Sequence, residues 1–113
     1  MNTFIHKGLT SDRWRKFSFL EQMGNIGSEV GRANLARKKN NRSSFTGALD
    51  RALELIDLTL ADERWKNQGK AKEIALAREL LCNAATGDVR FGTSLEDLDR
   101  YFFSFALAAR ADH

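Results

Sequence analysis

The chain has 113 residues, no proline, a single cysteine and a net charge of +3. One domain with its own core is expected at this length. The lone Cys82 excludes a disulfide framework and a thiolate metal cluster, and no segment reaches the ~18 apolar residues of a membrane span.

Charge is distributed unevenly. Residues 1 to 45 carry nine Lys/Arg against three acids, a net of +6, and the remainder carries nine against twelve, a net of −3. A basic first third is therefore joined to a mildly acidic body. The opening MNTFIHKGL lacks a long apolar run. A secretory signal is not expected there, and the cytoplasm is the expected location. Residues 1–10 are expected to fray, leaving 11–113 as the folded domain.

Helix-forming residues dominate the periodic stretches, and four helices are expected, over about 11–38, 44–61, 70–85 and 94–110. In the first, Ser11 is the expected N-cap, and Asp12 suits the positive end of the helix dipole. Phe19, Leu20, Met23, Ile26, Val30 and Ala33 share one face, while Glu21, Asn25, Glu29 and Arg32 are expected to point away. Gly24, Gly27 and Gly31 lie along the edge of the apolar face. A phosphate loop needs a strand before the glycines and Gly-Lys-Ser/Thr after them. Neither is present, and the helical period runs through all three. Each glycine costs up to ~1 kcal/mol relative to alanine, so close backbone packing against another helix is the expected compensation, with a kink as the alternative.

Asn40 and Asn41 suit a turn, and Ser43 or Ser44 is the expected cap of the second helix. Its apolar stripe is Phe45, Leu49, Ala52, Leu53, Ile56 and Leu60. Asp50, Glu54 and Asp57 line the opposite side. They read as a solvated face, because a carboxylate metal site in a bundle calls for Glu-x-x-His pairs, and the histidines, His6 and His113, lie near the termini. DERWKNQGK reads as a polar connection broken by Gly69. The third helix turns Ala71, Ile74, Ala77, Leu81 and Ala85 inward and stops at Gly87. Ser94 opens the fourth, with Asp97 as its capping-box partner and Leu95, Leu98, Tyr101, Phe102, Phe105 and Ala109 as its core stripe. The connections are short, so successive helices are expected to be antiparallel neighbours in an all-α, up-down-up-down four-helix bundle.

Two features remain after the core is assigned. Leu76, Leu80, Phe103 and Leu107 lie off the core faces of the third and fourth helices and mark an expected homo-oligomer interface. Arg37, Lys38, Lys39 and Arg42, with Arg32 upstream, form a basic cluster of the kind that neutralises nucleic-acid phosphates. No base-reading motif accompanies it. Cys82 reads as buried and inert, and no catalytic constellation, metal set or cofactor motif is expected.

Asn25, Ile26, Glu29, Gly31, Arg32 and Phe45 carry a family resemblance. The run from Gly24 to Leu60 resembles the central two helices of the small four-helix-bundle proteins encoded in intervening sequences of bacterial 23S ribosomal RNA genes. It also resembles the related accessory variability proteins of diversity-generating retroelements. In both, an Asn-Ile-small-Glu stretch precedes a basic loop and a helix beginning near a Phe. The resemblance covers about a third of the chain. The Ile-Pro that precedes Asn-Ile in the family is missing, and Ser28-Glu29-Val30-Gly31 stands where the family has Ala-Glu-Gly. The resemblance implies a ring-like homo-oligomer, commonly pentameric, with a basic surface for nucleic acid or a reverse transcriptase, and no catalytic activity. The functional expectation is an oligomeric accessory protein that binds nucleic acid or a nucleic-acid enzyme. The alternative is a protein–protein interaction module whose basic loop is only a solvated turn.

Overall fold

The structure is a computed structural model that describes residues 11–66, 69–87 and 92–111; the expectation of a frayed 1–10 segment falls outside them. It is an all-α bundle of a short helix α1 (Ser11–Trp14) and four longer ones, α2 (Phe19–Lys38), α3 (Arg42–Leu60), α4 (Lys70–Thr86) and α5 (Leu95–Ala111). No strand occurs among the described residues.

The expected first helix is broken. The chain leaves α1 after Trp14 and restarts at Phe19 behind Ser18, whose hydroxyl accepts from the Glu21 N–H while the Glu21 carboxylate accepts from the Ser18 N–H. This reciprocal box satisfies two donors that a helix start leaves free, so Ser18 rather than Ser11 caps the long helix. The break lets Trp14 turn inward, where its indole N–H donates to Thr59 Oγ1 at 2.9 Å. Helix α2 ends at Lys38, and Asn40, two residues beyond, takes a left-handed φ of 57°, the conformation favoured in Gly and Asn just past a helix C-terminus. Asn41 then caps α3 by accepting from the Ser44 N–H, so the expected serine caps belong to the first turn instead.

Buried polar residues join α1, α2, α3 and the turn after α3. Gln22 is fully buried; its Nε2 donates to the Trp14 carbonyl at 2.9 Å and to Asp62 at 3.2 Å, and its Oε1 accepts from the Trp65 indole at 2.9 Å. Asp62 also accepts from the Arg64 backbone and guanidinium. The connection expected to be merely polar therefore contains a 3-10 turn, Glu63–Trp65, that buries Trp65 and Asp62. Each polar group here has a partner, which is what burial requires.

On its other side α2 meets α5. A Cβ built on Gly24 would lie 3.2 Å from the Ala106 Cα, and one on Gly27 would lie 2.7 Å from the Phe102 Cβ. One on Gly31 would lie 3.2 Å from an Asp99 carboxylate oxygen. The close backbone approach expected of these glycines is present at Gly24 and Gly27, tightest at Gly27, whereas Gly31 faces only a side chain. Falling α2 numbers meet rising α5 numbers, so these two helices run antiparallel. Helices α3 and α4 pack on one another, as do α4 and α5. Of the expected α4 and α5 core residues, Ile74, Ala77, Leu81, Leu95, Leu98 and Phe102 are buried, Ala84 is buried in place of Ala85, and Ala71, Tyr101, Phe105 and Ala109 are half-buried. Gly87 at a left-handed φ of 79° ends α4, and the Ser94 and Asp97 side chains each accept from the other's backbone N–H at the start of α5. In α3 the fully buried positions are Ala48, Ala52, Leu55, Ile56 and Thr59, so the inner face is rotated by about one residue from the expected stripe. Thr59 is responsible: its hydroxyl donates to the Leu55 carbonyl while accepting from Trp14, which brings a polar position inside.

Candidate nucleic-acid interface

The five cations expected to contact nucleic acid part into different surroundings. Arg37 turns back onto the bundle. Its guanidinium donates to the Ala84 carbonyl at 2.8 Å and to the Ala85 carbonyl, and it lies 4.6 Å from the Phe45 ring centre. It thus caps the free carbonyls at the C-terminus of α4, where a cation is electrostatically favoured. Lys38 reaches α5 and pairs with Glu96 at 2.5 Å. That contact pulls the Glu96 carboxyl below its ordinary range, first through the hydrogen bond from Lys38. Neither side chain is free to spread over a phosphate backbone in this arrangement.

Arg32 and Lys39 are different. Both line a groove of about 450 Å³ between α2 and α3, together with Asn41, Ser43, Ser44, Gly47 and Arg51. Arg32 and Arg51 converge on Glu29, which is only 2 % exposed. Glu29 was expected to point into solvent; burying it between two guanidiniums is physically allowed because a buried carboxylate needs paired, hydrogen-bonded charge. Its effect is to fix the bases of two cations at the wall of the groove while Arg32 remains largely exposed, its side chain at 67 %. Lys39 is exposed, and its charge is unpaired among the described residues. Arg42 is also exposed and unpaired, but it lies on the opposite side of the turn, lining a second groove of about 500 Å³ with Arg37, Asn40, Asn41, Phe45 and Ala85.

Arg51 was not singled out from sequence. Its signal is faint: Ser44, Gly47 and Arg51 recur at helical spacing on one face of α3, a polar, small face turned toward α2. Nothing in a single sequence couples Arg51 to Glu29.

The expected oligomer interface also divides. Leu76 is 56 % exposed, and with Leu80 it lines an apolar groove of about 350 Å³ between α4 and α5, beside Leu98 and Tyr101. Leu80 packs partly against the core. The Tyr101 hydroxyl donates to Glu73 at 2.7 Å across that groove, and burial first, then this carboxylate, raises its pKa. Phe103 and Leu107, about half exposed, lie round α5 from Tyr101, at helical offsets of roughly 200° and 240°. The four residues form two surfaces rather than one patch.

Among the described residues there is no group of three metal-ligating side chains. Cys82 is half-buried rather than buried and contacts the Arg78 guanidinium. Asp57 in the acidic row pairs with Arg78 at 2.9 Å. Among the described residues no helix is long and apolar enough to cross a membrane. No family model, curated protein or solved structure matches the chain.

Proposed function

We propose that the chain is a small, homo-oligomeric, non-catalytic accessory protein of the cytoplasm that meets the phosphate backbone of a nucleic acid along the α2–α3 groove. One observation carries this reading. Arg32, Lys39 and Arg51, from two helices, line a single groove with the polar side chains of Asn41, Ser43 and Ser44. Cations with neighbouring hydroxyl and amide groups contact phosphates and fix register without reading bases. The resemblance of residues 24–60 to intervening-sequence and retroelement accessory proteins points the same way. The site differs from the cluster read off the sequence, because Arg37 and Lys38, although exposed, are engaged by the α4 carbonyls and by Glu96, and Arg51 joins.

A salt titration of binding to RNA and DNA tests this. The logarithm of affinity should fall linearly with the logarithm of salt concentration, by about 0.7 per contacted phosphate on single strands and about 0.9 on duplex. Lys39→Gln should reduce that slope, while Lys38→Gln should leave it unchanged. Absence of binding to either nucleic acid at low salt would overturn the proposal. It would favour the protein–protein module, a second reading that the exposed Leu35, Leu76, Phe103 and Leu107 support.

A further inference from the structure

Among the described residues, the outward face of α5 carries exposed apolar side chains with no helix closely packed on it. Phe102, which faces α2, is fully buried, whereas Phe103 is 52 % and Leu107 49 % exposed. Glu96, Phe103 and Arg110 recur every seven residues, close to two helical turns, so they form one line along this face. The line has polarity: an acid at the start of α5, an aromatic ring in the middle, a cation in the last turn. Arg110 is exposed and has no ion-pair partner among the described residues. Beside the line, Arg100 pairs with Asp97 on the same helix, and Asp99 turns toward Asn34 of α2.

We propose that this face docks antiparallel on the same face of a second copy, around a two-fold axis at Phe103. In that register Phe103 meets Phe103, and Glu96 of each copy meets Arg110 of the other. A parallel arrangement would set Glu96 against Glu96 and Arg110 against Arg110, which like-charge repulsion disfavours. A two-fold contact is self-complementary, so each favourable pair occurs twice. Lys38 already holds one Glu96 oxygen, and a carboxylate has acceptor capacity for a second donor. One pair of helices buries less than the ~1,200 Å² of a standard stable interface, so the dimer is weak and concentration-dependent. The inference rests on the self-association in the proposed function and adds its surface, symmetry and register.

Sedimentation from micromolar to millimolar concentration and cysteine cross-linking test it together. In a Cys82→Ala background, Phe103→Cys should form a disulfide dimer on oxidation. Leu107→Cys should not, because its two copies would stand about 12 Å apart along the helix axis, too far to bridge. Arg110→Glu should weaken the dimer about tenfold, as two attractive pairs become repulsive, and adding Glu96→Arg should restore it. Circular dichroism should show each variant folded, since the altered side chains are exposed apart from the half-buried Cys82, which is replaced by a smaller residue. A wild type that sediments as a monomer throughout sinks both this inference and the self-association it rests on. A dimer that ignores Phe103→Ser, or that cross-links as readily through Leu107→Cys, sinks the α5 register alone.

Discussion

The flank of α2 that meets α5 is held by missing side chains, whereas the flank that meets α3 is held by polar ones. On the first, Gly24 and Gly27 bring backbone against backbone, and an added methyl at Gly27 would meet the Phe102 Cβ at 2.7 Å. On the second, Gln22 and Glu29 lie buried, seven residues apart along the helix, bonded respectively to Asp62 and Trp65 and to Arg32 and Arg51. Steric fit of the first kind is supplemented at its end by the Lys38–Glu96 and Asn34–Asp99 contacts. Charge pairing of the second kind leaves guanidiniums at the surface with their bases fixed. The candidate phosphate site is accordingly on the α3 side.

If the α5 flank is a steric contact, bulk should break it first and hardest. Gly27→Leu should lower stability by about 3 kcal/mol or more, at or above the upper end of over-packing costs. Gly27→Ala should also destabilise, even though helix propensity alone favours alanine by up to ~1 kcal/mol, because the obstructing atom is a Cβ that cannot swing away. Gly31→Ala should be nearly neutral or stabilising, since its obstacle is the end of the Asp99 side chain. Urea midpoints for the three variants check this order, and equal midpoints would reduce the glycines to a sequence coincidence.

That the glycines mark a close helix contact was legible in the sequence, but not that α5 supplies it, and the polar α3 contact was not legible at all. Three glycines inside an uninterrupted helical period demand a compensating close approach, and the apolar stripes of α4 and α5 identify their inner faces directly. Gln22 and Glu29 give no such signal, because hydrophobic periodicity assigns polar residues to the outside. Their burial depends on partners 22 to 43 positions away. The break at residues 15–18 was readable in principle: Ser18 and Glu21 are a capping box ahead of an apolar run. The helical pattern continuing past it hid the signal. Among the basic residues, number and position were legible but direction was not, because Arg37 and Lys38 are aimed by carbonyls and a carboxylate on distant helices.

The α3 flank should break through charge rather than bulk. Glu29→Ala should destabilise by about 1–3 kcal/mol, the usual consequence of removing one partner from a buried hydrogen-bonded set. Glu29→Gln should recover part of that, since the amide oxygen can still accept from one guanidinium. Thermal denaturation of both variants measures the difference. A fully stable Glu29→Ala would place the carboxylate outside the energetics of this contact.

Acid should find the same flank. The Arg64 guanidinium, hydrogen-bonded to Asp62, pulls that carboxyl from 3.8 to about 2, against the opposing effect of burial. A folded-state pKa below the unfolded one means that stability is present above the unfolded value and is lost as pH falls through the folded one. The loss should therefore run from about pH 4 to pH 2 and amount to about 2 kcal/mol. Asp62→Asn should flatten that part of the stability-against-pH curve. An unchanged curve would assign the acid sensitivity to other carboxylates.

The smallest expected effect on stability is the most informative about function. Lys39 and Arg42 are exposed and unpaired among the described residues, so replacing either with Gln should move the unfolding midpoint by little, within the ~0.5 kcal/mol of ordinary surface changes. Arg37→Gln should cost more, because it removes the guanidinium that donates to the Ala84 and Ala85 carbonyls. Binding should not follow stability. Lys39→Gln should remove up to one phosphate contact from the salt slope, about 0.7 to 0.9, for every sequence alike. Arg42→Gln, on the other side of the turn, should change the slope only if the strand wraps from one groove to the other. Arg37→Gln should change stability and leave the slope where it was. If Arg37→Gln flattens the slope while Lys39→Gln does not, the phosphate path runs along the Arg37–Arg42 groove, and the division of α2 into a steric flank and a binding flank fails on its binding side.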